Sequence, residues 1–162
     1  MTNRIGFMQG RLSPIINGKI QEFPWNNWRQ EFGIGASLGF TKMEWTLDQE
    51  RLGENPLMTP AGQREIVSIF KKYSFSVPSL TGDCFMQAPF WKVNDSGQRE
   101  KLKVNFKAIA DSCHKIGIKF IVVPLVDGGS LENEYQENLL VLLTQFLDSV
   151  LVFHNLMNKY VL

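Results

Sequence analysis

A chain of 162 residues, 44% hydrophobic and 20% charged, has the make-up of a globular protein with a single core, and it lacks the biased composition of a disordered or fibrous one. Seventeen Lys and Arg stand against sixteen Asp and Glu, a net charge of +1 with no long run of either sign, so neither nucleic acid nor a membrane surface is an expected partner. The opening MTNRIGFMQGR is too polar for a signal peptide, and the longest apolar run, residues 120–126, falls far short of the roughly 18 residues that suggest a membrane span. Cys84 and Cys113 stand alone, without CxxC spacing, and are expected as reduced thiols of a cytoplasmic protein.

The first strand-like run covers residues 4–8, and its apolar stretch stops at Gln9 and Arg11. A helix follows with Asn26 as its expected cap and Trp28, Phe32 and Ala36 on one face; it ends at Leu38, with Gly39 beyond. The second run, residues 42–47, places Glu44 between Met43 and Trp45. Thr59 caps the second helix and Pro60 takes its first position, where a missing N–H costs nothing, with Ile66, Ile69, Phe70 and Tyr73 as the buried stripe. After the third run, residues 76–81, comes a long irregular segment, 82–96, holding Asp83, Phe85, Met86, Phe90 and Trp91. Long ordered loops in compact domains are more often functional than idle.

Leu102, Phe106, Ile109, Cys113 and Ile116 then recur at steps of four and three, a third helix closed by Gly117. The fourth run, residues 118–126, ends at Asp127, before Gly128 and Gly129. Residues 131–153 read as a fourth helix, with Ser130 as cap and Glu132 and Glu134 in the first turn. Its second half, LLVLLTQFLDSVLVF, is apolar nearly all round and calls for a further packing partner. HNLMNKYVL then closes the chain with no fifth strand expected.

This is a βα alternation, and GFTKMEW at residues 39–45 parallels GIKFIVV at 117–123, a cap glycine leading into a buried strand both times. The fold class is α/β, a parallel sheet of about four strands and four helices, with helices on one face or both. Ligands of such sheets sit at the carboxyl ends of the strands. Those ends carry Gln9 and Arg11, then Glu44, Asp83 and Asp127. The set suits a polyhydroxylated ligand, because carboxylates and amides take hydroxyls in pairs while Arg forks onto phosphate or carboxylate.

Glu44 is the sharpest candidate, since a charge among apolar strand neighbours must be paired, metal-bound or hydrogen-bonded. An ion pair with Arg4 or Arg11 would satisfy it as well as a ligand would, and Asp127 beside two glycines equally suits a turn. GIGASLG, residues 33–39, has the loose look of a dinucleotide fingerprint but finishes a helix instead of opening one, which points to close packing and a C-cap. His114 and His154 have no second ligand at metal-binding spacing. Trp25 and Trp28 suit either core packing or the wall of a sugar site.

The segments MQGRLSP, IQEFPWNNWRQEF, GFTKMEW, NPLMTPAG, SLTGDCFM and PLVDGGSL, in that order and spacing over residues 4–145, resemble the sugar phosphate isomerase/epimerase family of xylose-isomerase-like TIM barrels. The resemblance implies a (β/α)8 barrel that interconverts ketoses and aldoses, or epimers, by metal-assisted proton transfer through an enediolate. It implies a divalent metal, Mn, Mg, Co or Zn, in full-length relatives, and a sugar or sugar phosphate as ligand. It places Gln9, Arg11, Glu44, Asp83 and Asp127 at the barrel mouth as substrate contacts, none of them a metal ligand. The metal ligands and bases come from the last four strands.

Four βα units in about 150 residues, against about 250 for a closed barrel, then give the N-terminal half of a TIM barrel in a single domain, truncated after the fourth helix. Such a chain is expected to bind no metal and to lack isomerase activity alone. Its first and fourth strands would be open edges suited to self-association. The alternatives are an open flavodoxin-like domain that binds a small ligand without catalysis, and a half-barrel that serves as an assembly module.

Overall fold

The computed structural model of the chain describes residues 5–15, 18, 22–144 and 150–154, with backbone alone from 142 onward. Five parallel strands, β1 (Phe7–Met8), β2 (Lys42–Thr46), β3 (Ser76–Thr81), β4 (Phe120–Pro124) and β5 (Val150–His154), lie in the order β1-β2-β3-β4-β5. The α-helices are α1 (Trp28–Ser37), α2 (Pro60–Tyr73), α3 (Asp83–Gln87), α4 (Ser96–Ile116) and α5 (Glu134–Thr144). Each described strand is added beside its predecessor. A flavodoxin-like sheet reverses direction after its first strands, so this order corrects the open doubly wound alternative and has the progression of a TIM barrel.

Local chemistry explains the helix ends. Thr59 Oγ1 accepts the Gly62 N–H at 3.1 Å, which with Pro60 opens α2 as expected. Asp95 Oδ1 accepts the Gln98 N–H at 2.7 Å and opens α4. Gly39 and Gly117, at φ +84° and +87°, take the left-handed conformation that ends α1 and α4. The cap of α1 falls at Asn27, not Asn26, and its buried stripe is Trp28, Glu31, Phe32 and Gly35, with Ala36 only half-buried. Gly35 is there because the sheet comes close: a Cβ on it would lie 2.6 Å from Phe7 Cε1.

Two expectations are corrected. Residues 82–96 are not one long loop, since α3 and a 3-10 turn at Phe90–Lys92 bury Phe85, Phe90 and Trp91. Trp91 Nε1–H donates to the Gly129 carbonyl at 3.1 Å and so anchors the turn after β4. The expected fourth helix over residues 131–153 is the second correction. Only Glu134–Thr144 is helical, Asn133 Oδ1 rather than Ser130 takes the capping role on the Gln136 N–H at 3.1 Å, and Val150–His154 is a fifth strand paired with β4. A short continuous apolar run has no period to separate a buried parallel strand from a buried helix. Of this run, Val150–His154 pairs with β4, and the described sheet ends at β1 and β5.

Alternation along the strands sorts side chains onto two faces. Met43, Trp45, Leu80, Ile121 and Val123 join Trp28, Phe32, Ile66 and Phe106 in one core between sheet and helices. The opposite face carries Met8, Glu44, Ser79, Thr81 and Val122, and the site lies there.

Candidate small-molecule site at the strand ends

Pairing of β2 with β3 sets Glu44 opposite Ser79 and Thr46 opposite Thr81. The Glu44 carboxylate accepts the Ser79 hydroxyl at 2.7 Å and the Thr81 hydroxyl at 2.5 Å. Two hydroxyls thus meet the need of a charge on a half-buried strand. Arg4, one of the expected ion-pair partners, lies outside the described residues. Over this carboxylate opens a cavity of about 590 Å³, within the range of small-molecule sites. Its polar wall is Glu44, Thr81, Asp83, Gln87 and Asp127, and Met8, Val122 and Pro124 are among its apolar lining.

Asp83 opens α3 and is buried, whereas Asp127 is exposed at φ +48° in the tight turn after β4. A Cβ on Gly129 would sit 2.6 Å from the Pro124 carbonyl oxygen, so the two glycines are turn chemistry while Asp127 still faces the cavity. Gln9 and Arg11 do not form the cavity wall. Gln9 is wholly buried and extends the β1–β2 pairing: its N–H donates to the Glu44 carbonyl at 2.9 Å, its Oε1 accepts the Thr46 N–H at 3.2 Å, and its carbonyl accepts the Thr46 hydroxyl at 3.2 Å. Gln9 thus spends its backbone and its Oε1 on the sheet, while its buried Nε2 has no hydrogen-bond partner among the described residues. Arg11 is exposed at the rim, with Nη2 at 4.0 Å from the sulfur of Met8.

Several residues that build the mouth have no role in the sequence reading. Glu31 is fully buried on α1, where both its oxygens accept the Gly10 N–H at 2.9 Å and one also accepts the Leu12 N–H at 3.0 Å. Burial pushes its carboxyl above the ordinary range, against the pull of those backbone donors. Its signal in the sequence is a charge inside the Trp28, Phe32, Gly35 stripe. Asp48 accepts the Phe23 N–H at 2.9 Å and a Gln87 amide hydrogen at 3.0 Å, while Gln87 Oε1 accepts the Gln49 N–H at 2.7 Å. Those bonds strap together the segments that follow β1, β2 and β3.

Trp28 is core, and Trp25 walls a smaller cavity of about 250 Å³ under the Arg51 guanidinium, which lies 3.9 Å from its ring centroid. Both cysteines are buried free thiols. Burial pushes Cys113 up to about 12 and Cys84 well above its usual value, so neither supplies a reactive thiolate. The divalent metal that the resemblance implies, held there by the last four strands, has no ligand set among the described residues: no three His, Cys, Asp or Glu among them are placed to share an ion, and the Glu44 oxygens already hold hydroxyls. Among the described residues no helix is long and apolar enough to cross a membrane.

These observations define a parallel α/β fold of TIM-barrel type with a cavity at its strand ends. No family model matches the chain, and no curated protein does. Among solved structures it is similar to an ASFV AP endonuclease, in the crystal structure described as AsfvAP:AG, with a TM-score of 0.50 at 16% identity over 92% of this chain. The match takes in 46% of that protein, so this chain spans about half the length of the relative. At such identity the likeness concerns the fold alone, and that fold is TIM-barrel-like.

Proposed function

We propose that this chain is the sugar-holding wall of a sugar phosphate isomerase/epimerase-like barrel, an enzyme that moves a proton beside the carbonyl of a ketose or aldose. The observation that carries the reading is Glu44, held by Ser79 and Thr81 and facing a cavity that Asp83 and Asp127 also line. Carboxylates accept sugar hydroxyls, and the apolar lining meets the C–H face of the ring. The acid, the base and any metal of such chemistry belong to other strands of the barrel, so the chain by itself binds without turnover.

The test is a titration of the 162-residue chain with D-fructose and D-fructose 6-phosphate, followed by amide NMR. Shifts are expected at Glu44, Thr81, Asp83 and Asp127, and Glu44→Gln should weaken binding about tenfold, the worth of one hydrogen bond to a charged acceptor. Absence of shifts, or shifts confined to another surface, would remove the reading. Turnover of either sugar by the chain alone with added Mn or Mg would show that the acid and base are wrongly assigned to other strands.

A further inference from the structure

The loop after β1 is pinned from within. The N–H groups of Gly10 and Leu12 converge on the Glu31 carboxylate, which α1 delivers from behind the loop at 2.9–3.0 Å. Gly10 adopts φ +92°, and a Cβ there would lie 2.9 Å from the Glu22 carbonyl oxygen, so the tight path of the chain depends on glycine. These two amides flank Arg11, whose own N–H donates to the Met8 carbonyl at 3.2 Å, and the anion they converge on is the protein's own side chain. An apolar residue in the Trp28 and Phe32 stripe would pack without desolvating a charge, so a carboxylate in that place serves the loop better than it serves the core.

Arg11 lies between the two pinned amides, with its guanidinium beside Met8, one of the cavity-lining residues. We infer that Glu31 is the positioning residue of the mouth: it fixes the backbone on both sides of Arg11 and so sets where the guanidinium stands relative to the cavity. The ligand part of this inference, that Arg11 receives the anionic end of a sugar phosphate, rests on the proposed function. The loop part does not.

Amide hydrogen exchange and ligand titration on the wild type, Glu31→Ala and Glu31→Gln test the two parts separately. In Glu31→Ala the Gly10 and Leu12 amides should exchange at least about tenfold faster, the worth of a lost charge-assisted bond. The Leu47 and Gly82 amides, bonded to Thr81 and Val122 carbonyls, should keep their rates. Glu31→Gln retains one acceptor oxygen and should recover part of the protection. Affinity for D-fructose 6-phosphate should fall about tenfold in Glu31→Ala while affinity for D-fructose holds, a change in selectivity that general loosening would not produce.

Unchanged exchange at Gly10 and Leu12, or equal loss of protection across the sheet, would overturn the inference. If Glu31→Ala does not fold, Glu31→Gln decides by the same amides. If the loop loosens but neither sugar binds the wild type, the proposed function fails and the role of Glu31 in holding the loop stands.

Discussion

Glu44 and Glu31 both stand where a charge is costly, and the chain satisfies them with different donors. Hydroxyls of Ser79 and Thr81 hold Glu44 and can rotate toward a ligand, whereas backbone N–H groups hold Glu31 and cannot. Burial sets the folded pKa of Glu31 above its ordinary 4.5. Between those two values the native state keeps a proton that the unfolded chain has lost, so stability falls as pH rises through that window and levels off above it. Glu31→Gln should flatten this fall, as urea unfolding of both proteins from about pH 4 to pH 8 would show. An unchanged slope would mean that another group carries it. Glu44 is legible in the sequence because its charge interrupts an apolar strand, and Glu31 offers the same cue on a helix stripe. Gln9 offers none: a glutamine at a strand end reads as the start of a loop, and only its bonds to Thr46 show it as an added rung of the sheet.

At the scale of elements, α2 and α4 are legible because capping chemistry and a 3.6-residue period agree over several turns. For β5 they do not, since a run of four apolar residues before His154 carries no period and its pairing with β4 is a long-range fact. Elements also answer to contacts that propensity ignores. An exposed helical Gly→Ala change ordinarily gains about 1 kcal/mol. Gly62, buried in the first turn of α2, should reverse that sign, because a Cβ would stand 2.2 Å from the Pro56 carbonyl oxygen, and backbone does not yield as a flexible side chain would. Gly62→Ala is expected to cost about 1–3 kcal/mol in chemical denaturation, the range for overpacking. A neutral or stabilising result would show that the turn at Pro56–Met58 moves freely of the helix.

At the scale of the whole molecule, strand order and the division into two faces act together. A parallel sheet that adds every strand on the same side, with crossovers of one hand, keeps its helices on one face and leaves the other for strand-end chemistry. Alternation in β4 states this in two adjacent residues: Ile121 is almost wholly buried toward the helices, and Phe120, of the opposite parity, is 41% exposed. Ile121→Ala should therefore cost about 2–5 kcal/mol, as other large-to-small core changes do. Phe120→Thr should stay within about 0.5 kcal/mol, because its ring fills no core and threonine suits a strand. Urea denaturation of the two variants compares them directly. Equal costs would mean that the Glu44 face is packed as tightly as the helical one; a large difference leaves that face open for a ligand.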